Sequence, residues 1–201
     1  MLFNLILAGV GGQGSILLSQ MVGTACIEEG YFTSIGESFG VSQRGGDVIS
    51  QIRISDDSMK SPWMLSHNAD LIVGLEPIET LRAAGRFMNP NTDVLINPRP
   101  LHPTSVTSGE ATYPDLDEIL EGLRGNCRNL YIIESTKIAL DELNNSMASN
   151  MVMAGAIAGS GFIPVSLDSF EKALDYTIPE RIYDLNLKAF NLGNDAIKEM
   201  M

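Results

Sequence analysis

Residues 9 to 14 read Gly9-Val10-Gly11-Gly12-Gln13-Gly14, with glycine at all three positions of a G-x-G-x-x-G pattern. No side chain in that run is reactive. What it offers is backbone N–H groups at the start of a helix, which favour an anion such as a phosphate. In such a turn Gly9 would permit the tight bend, Gly11 the close approach of a ligand, and Gly14 close packing of helix on strand. A second set of anion-binding groups stands at Ser42-Gln43-Arg44-Gly45-Gly46, where a guanidinium fork precedes two glycines. Between them Glu37 lies about twenty residues beyond Gly14, where a dinucleotide-binding fold places the acid that holds a ribose hydroxyl. Glu76, ahead of Pro77, reads either as a ligand contact at a strand end or as a carboxylate favoured by a helix dipole.

No catalytic residue emerges. The sequence has no G-x-S-x-G, no H-E-x-x-H and no cysteine cluster. Its polar candidates bind anions or position a neighbour, which describes a domain that holds something while chemistry happens elsewhere. A turn that binds nothing remains the plain alternative, as does a solvated Arg44 on a surface hairpin.

The elements that would position these residues form a strand–helix alternation. Residues 1–8 read as a buried strand. The helix after the glycines places Leu17, Met21 and Ala25, with Leu18, Val22 and Cys26, on one face. Residues 31–35 read as a second strand ending at Gly36-Glu37. The stretch 38–46 has too many glycines and serines for a crossover helix and is expected to be a loop. A third strand follows at 48–55, with Val48, Ile52 and Ile54 on one face, which makes the second-to-third connection a candidate antiparallel exception. Further strands are expected at 70–75, 92–97 and 130–133. Helices are expected at 78–84, 115–123, 135–143, 149–158, 168–176 and 179–198, and an irregular, proline-containing excursion at 99–114. Ile182, Leu185, Ala189 and Leu192 form a stripe that could cover the core or meet a partner. The methionines of the last third read as core filling, and Trp63 as packing or interface. The fold class expected is α/β: a three-layer α/β/α Rossmann-like sandwich with a mostly parallel sheet, one domain over residues 1–201.

Composition narrows the function classes. The chain has 25 acidic against 13 basic residues, a net charge of −12, which disfavours nucleic acid as a partner. Two cysteines cannot ligate an iron–sulfur cluster, which needs about four thiolates. Cys26 falls on a core face, and with only two histidines little is left for metal binding. No apolar run is long enough to span a membrane, and the N-terminus lacks signal-peptide features, so a cytoplasmic protein without membrane association is expected.

Taken together, the glycine turn, Gly36-Glu37, Ser42-Gln43-Arg44-Gly45-Gly46, Gly74-Leu75-Glu76-Pro77 and Asn186-Leu187-Lys188-Ala189-Phe190 resemble the gamma subunit or domain of 2-oxoacid:ferredoxin oxidoreductases. Within that group the chain looks most like the beta subunit of the indolepyruvate type. The resemblance runs along nearly the whole chain. It implies participation in oxidative decarboxylation of a 2-oxoacid with coenzyme A to acyl-CoA, carbon dioxide and reduced ferredoxin. Thiamine diphosphate and iron–sulfur clusters are then expected in a partner subunit, with coenzyme A as co-substrate and no cofactor bound by this chain alone. The carried-over binding positions are Gly9, Gly11, Gly12, Gln13, Gly14, Ser42, Gln43, Arg44, Gly45 and Gly46. Ferredoxin would be met only indirectly, since two acidic surfaces repel, and the isolated chain could pair as a homodimer. Two other classes stay open. A nicotinamide-dependent enzyme would use the glycine turn and Glu37, and an adenylating fold carries a similar turn.

Overall fold

Strand β1 (Leu2–Val10) lies inside a six-stranded sheet, and its residues Leu5 to Ala8 are fully buried, as befits a strand covered on both faces. The computed structural model describes residues 1–40, 46–102 and 104–201. The strand order is β2-β3-β1-β4-β5-β6, with β2 at Phe32–Phe39, β3 at Asp47–Ser55, β4 at Leu71–Gly74, β5 at Asp93–Ile96 and β6 at Asn129–Ile132. β1, β4, β5 and β6 run parallel, whereas β3 is antiparallel to both β1 and β2. The sheet is therefore mixed and mostly parallel, with the reversal where the sequence placed it. A parallel neighbour would need a crossover of a dozen or more residues, and the connection from β2 to β3 is too short.

That connection is also shorter than expected. Ser38 and Phe39 extend β2 by pairing with Ile49 and Val48, and Gly40 N–H donates to the Asp47 carbonyl at 2.8 Å. The ladder continues because both partners are extended and in register.

Two helical layers cover the sheet. On one face α1 (Ser15–Glu28), α5 (Ser135–Leu143), α6 (Ser149–Ser160), α7 (Leu167–Thr177) and α8 (Tyr183–Lys198) enclose the larger core, built on Leu5, Leu7, Ile52 and Val73. On the other, α2 (Pro77–Phe87) and α4 (Leu116–Arg124) pack on Ile6, Ile72 and Val94. The 99–114 excursion contains one short turn, α3 (Thr104–Thr107). The expected face of α1 is buried at Leu18, Met21, Val22, Ala25 and Cys26.

The C-terminal helix differs from expectation in its start and in part of its face, for Ala189 and Leu185 of the expected stripe meet the core and Ile182 does not. Pro179 is extended, a 3₁₀ turn spans Glu180–Ile182, and α8 starts only at Tyr183. It buries Asn186, Ala189, Phe190, Gly193 and Ile197, while Ile182 is exposed. The reason is a seam of glycines. A Cβ added at Gly155 would strike the Phe190 carbonyl, and one at Gly193 the Val152 carbonyl, so α6 and α8 meet backbone to backbone. Large apolar residues are displaced from that line. Of the late methionines, Met151 and Met153 are fully buried, but Met147, Met200 and Met201 are exposed and do not fill the core.

Candidate functional site

The parallel strands bring the loops after β1, β4, β5 and β6 to one edge of the sheet, where open α/β sheets bind ligands. At that edge the glycine turn divides its labour differently from the pattern. Gly9 lies within β1 instead of bending the chain, and a Cβ there would come within 2.8 Å of Gln13 Oε1 and 3.1 Å of Leu75 Cβ. The left-handed residues are Gly12, at φ 95°, and Gly14, at φ 76°, which sits at the N-cap of α1. Gly14 allows close approach not of the strand but of the Asn150 amide, which its Cβ would strike. At Gly11 the closest backbone is the chain's own: its N–H donates to the Gly46 carbonyl at 3.0 Å.

Gln13 braces the turn. Its Oε1 accepts from Val10 N–H at 2.8 Å, and its Nε2 donates to the Leu75 carbonyl at 2.8 Å. Glu37 accepts from Ser19 Oγ at 3.0 Å and so ties β2 to α1. Because β3 intervenes between β1 and β2, Glu37 stands two strands away from the glycine turn, unlike the ribose acid of a dinucleotide fold. Gly46 is placed by its bond to Gly11, whereas Ser42, Gln43, Arg44 and Gly45 lie outside the described residues.

Beside the turn opens a cleft of about 640 Å³. Gly12, Gln13 and Gly14 form one side, Asn97 to Leu101 the next, and Asn145 to Asn150 with the α7–α8 connection close the remainder. Gly12, Gln13 and Gly14 of the expected set therefore share this cavity, while Glu37 does not line it. Among its described lining residues Arg99 is the one charged side chain, in a protein of net charge −12. The remaining polarity comes from amides and hydroxyls, among them Asn97, Thr136, Asn150 and Asn186. Such a lining accommodates an elongated ligand with amide groups, an apolar stretch and an anionic end.

Asn97 organises one wall. It is nearly fully buried, and its Nδ2 donates to the Leu75 carbonyl at 3.1 Å and to Thr136 Oγ1 at 3.0 Å. Sequence reading missed Asn97, Arg99, Thr136 and Asn150. A usable signal existed for Asn97, a polar residue between the apolar run of β5 and Pro98, in the same strand-end position as Glu76. Glu76 itself is buried and caps α2 by accepting Glu79 N–H at 3.0 Å.

The titratable groups among the described residues do not assemble a metal centre. Burial pushes the Cys26 thiol up to about 12, and burial also raises the thiol of Cys127. Among the described residues no three His, Cys, Asp or Glu side chains are grouped to hold a metal ion. Two thiols, one sealed in the core, do not fit an iron–sulfur cluster. No helix among the described residues is long and apolar enough to cross a membrane.

Fold and cleft together define a Rossmann-like α/β domain with a cleft at its sheet edge and no catalytic constellation among its described residues. Residues 4–196 match the family model described as pyruvate ferredoxin/flavodoxin oxidoreductase, and the chain belongs to that family. It is 37% identical over 198 residues to indolepyruvate oxidoreductase subunit IorB of Archaeoglobus fulgidus, covering 98% of this chain and 96% of that one. It is 28% identical to pyruvate synthase subunit PorC of Methanothermobacter marburgensis, covering 94% of each chain. In structure it is similar to a keto/oxoacid ferredoxin oxidoreductase gamma subunit from Geobacter sulfurreducens, with a TM-score of 0.70 at 22% identity over 98% of this chain and 99% of that one. A 2-oxoglutarate:ferredoxin oxidoreductase from Magnetococcus marinus, solved with 2-oxoglutarate, coenzyme A and succinyl-CoA bound, gives a TM-score of 0.76 at 21% identity. That likeness covers 100% of this chain and 32% of the other, so the same fold occurs there as part of a longer polypeptide.

Proposed function

We propose that this chain is the smaller, non-catalytic subunit of a 2-oxoacid:ferredoxin oxidoreductase of the indolepyruvate type. The observation that carries the reading is the identity of 37% to an indolepyruvate oxidoreductase subunit, sustained over almost the full length of both chains. The cysteine count agrees with it, because the iron–sulfur clusters and thiamine diphosphate that oxidise the 2-oxoacid must then belong to a partner subunit. The spacing of the sheet weighs against a stand-alone nicotinamide enzyme, since Glu37 is tied to Ser19 two strands from the turn.

Within the complex, the cleft beside the glycine turn is the part of this chain that holds coenzyme A. Arg99 and the N-terminus of α1 supply positive potential for its phosphates. The Asn97, Asn150 and Asn186 amides suit the amide groups of its arm. The chain's contribution is to orient the thiol carrier and keep water from the acyl group, while electron transfer proceeds in the partner.

The test is to purify the tagged chain from its own host and assay the eluate for reduction of a dye with indolepyruvate or pyruvate, with and without coenzyme A. Co-purification of a larger iron–sulfur subunit, with coenzyme A-dependent activity on indolepyruvate, is the expected result. Preference for pyruvate would correct the substrate alone. A lone chain that binds and uses a nicotinamide cofactor would overturn the subunit reading.

A further inference from the structure

Two consecutive residues after β4 hold two walls of the cleft together. The Leu75 carbonyl accepts from both Gln13 Nε2, at 2.8 Å, and Asn97 Nδ2, at 3.1 Å. The next residue, Glu76, is 1% exposed and uses its two oxygens differently. Oε2 accepts Glu79 N–H and caps α2. Oε1 accepts Leu101 N–H at 3.3 Å and Tyr113 O–H at 2.5 Å. Capping needs one oxygen, as Asp115 shows at α4, where a single carboxylate oxygen accepts Asp117 N–H. The donors to Oε1 come from 25 and 37 residues further along the chain, so a local role in α2 leaves that oxygen unexplained.

Leu101 and Tyr113 bracket the excursion that follows β5, and Arg99 stands two residues before Leu101 on the cleft wall. Burial and the adjacent Glu76 carboxylate push the Tyr113 hydroxyl well above its ordinary range, so it remains a donor at any working pH. His102 packs against Tyr113 with ring centroids 5.0 Å apart, adding a second contact between the two ends.

We propose that Glu76 and Tyr113 are positioning residues of the cleft: their hydrogen bond, together with that of Leu101 N–H to the same Glu76 oxygen, clamps the two ends of the excursion so that Arg99 is held ready for the anionic end of the ligand. The inference rests on the reading of the cleft as a coenzyme A-binding region. Its physical content is preorganisation. A wall tied at both ends loses less conformational freedom when the ligand arrives, and that saving appears in affinity for the anionic co-substrate instead of in turnover.

The experiment is a double-mutant cycle in the purified complex, with Tyr113→Phe and Arg99→Ala made singly and together, varying coenzyme A at saturating indolepyruvate. Tyr113→Phe should raise KM for coenzyme A roughly threefold to tenfold, the scale of one hydrogen bond, with kcat within about twofold. Arg99→Ala should raise KM at least as much, and adding Tyr113→Phe to it should change little further. Glu76→Gln, which keeps shape and removes charge, takes the place of Tyr113→Phe if that variant fails to assemble. Tyr113→Phe leaving KM unchanged, or acting by the same factor in both backgrounds, overturns the positioning role and spares the ligand reading. An unchanged KM in Arg99→Ala overturns both.

Discussion

At the scale of single residues, the glycine turn separates backbone freedom from space. Gly12 and Gly14 both need positive φ, but a Cβ on Gly12 meets nothing within 4 Å, whereas one on Gly14 strikes the Asn150 amide. Gly12→Ala should therefore cost only the left-handed penalty, about 1–2 kcal/mol. Gly14→Ala should cost that plus roughly 1–3 kcal/mol of overpacking. Denaturant unfolding of the two variants checks the order, and equal losses would mean that Asn150 moves aside freely. The glycines themselves were plain in the sequence, but their roles were not. A regular expression records which positions lack Cβ and says nothing of what approaches them, and here the approaching groups are Gln13, Gly46 and Asn150. Arg99 was invisible for a related reason. It follows Pro98 in an irregular stretch, and tertiary bonds, of Asn97 to Leu75 and of Leu101 and Tyr113 to Glu76, bring that stretch to the cleft.

At the scale of elements, boundaries and strand types were largely legible, and docking between helices was not. The span of α5 matches the sequence reading to the residue, because a strand end and a left-handed Asn144 bound it sharply. The buried face of α8 was read only in part: Ala189 and Leu185 of the expected stripe do meet the core, but hydrophobic periodicity looks for large side chains and passes over Gly193. A methyl at 193 meets backbone, which cannot rotate away, so Gly193→Ala should lose stability at the upper end of about 1–3 kcal/mol. It should also weaken coenzyme A binding, since Leu185 and Asn186 of the same helix line the cleft. Thermal unfolding and ligand titration of one preparation test both parts; normal binding by a destabilised variant would separate the seam from the site. A second joint is electrostatic. Glu29, just beyond α1, accepts from the hydroxyls of Ser169 and Ser166 and from Ser166 N–H, which hold its carboxyl below the ordinary value of 4.5. A depressed folded value means that this stabilisation is complete above the ordinary value and is lost as pH falls through the folded one. Unfolding midpoints measured from about pH 6 to pH 3 should fall more steeply in the wild type than in Glu29→Gln. Parallel curves would remove Glu29 from the α1–α7 joint.

At the scale of the whole molecule, alternation of strands and helices was enough to predict a layered α/β domain with one reversed strand. It did not give the order of strands, because neighbours in the sheet need not be neighbours in sequence. That order decides the functional reading. With β3 inserted beside β1, Glu37 lies about 10 Å from β1, two strand spacings instead of one. The cleft is correspondingly assembled from segments spread between residues 12 and 186.

The lopsided layering bears on how the protein comes into being. The apolar faces of β1 and α1 are made well before part of their cover, since α6, α7 and α8 follow only after β6. On a ribosome the larger core stays open to solvent until those three helices have emerged, whereas α2 and α4 can close the smaller one earlier. Until then the nascent chain carries a sticky, half-built surface. The cleft, which needs residues near 186, is finished at the end of that period. If the cleft takes coenzyme A as proposed, affinity for it should report completed folding in this protein more faithfully than helix or strand content does.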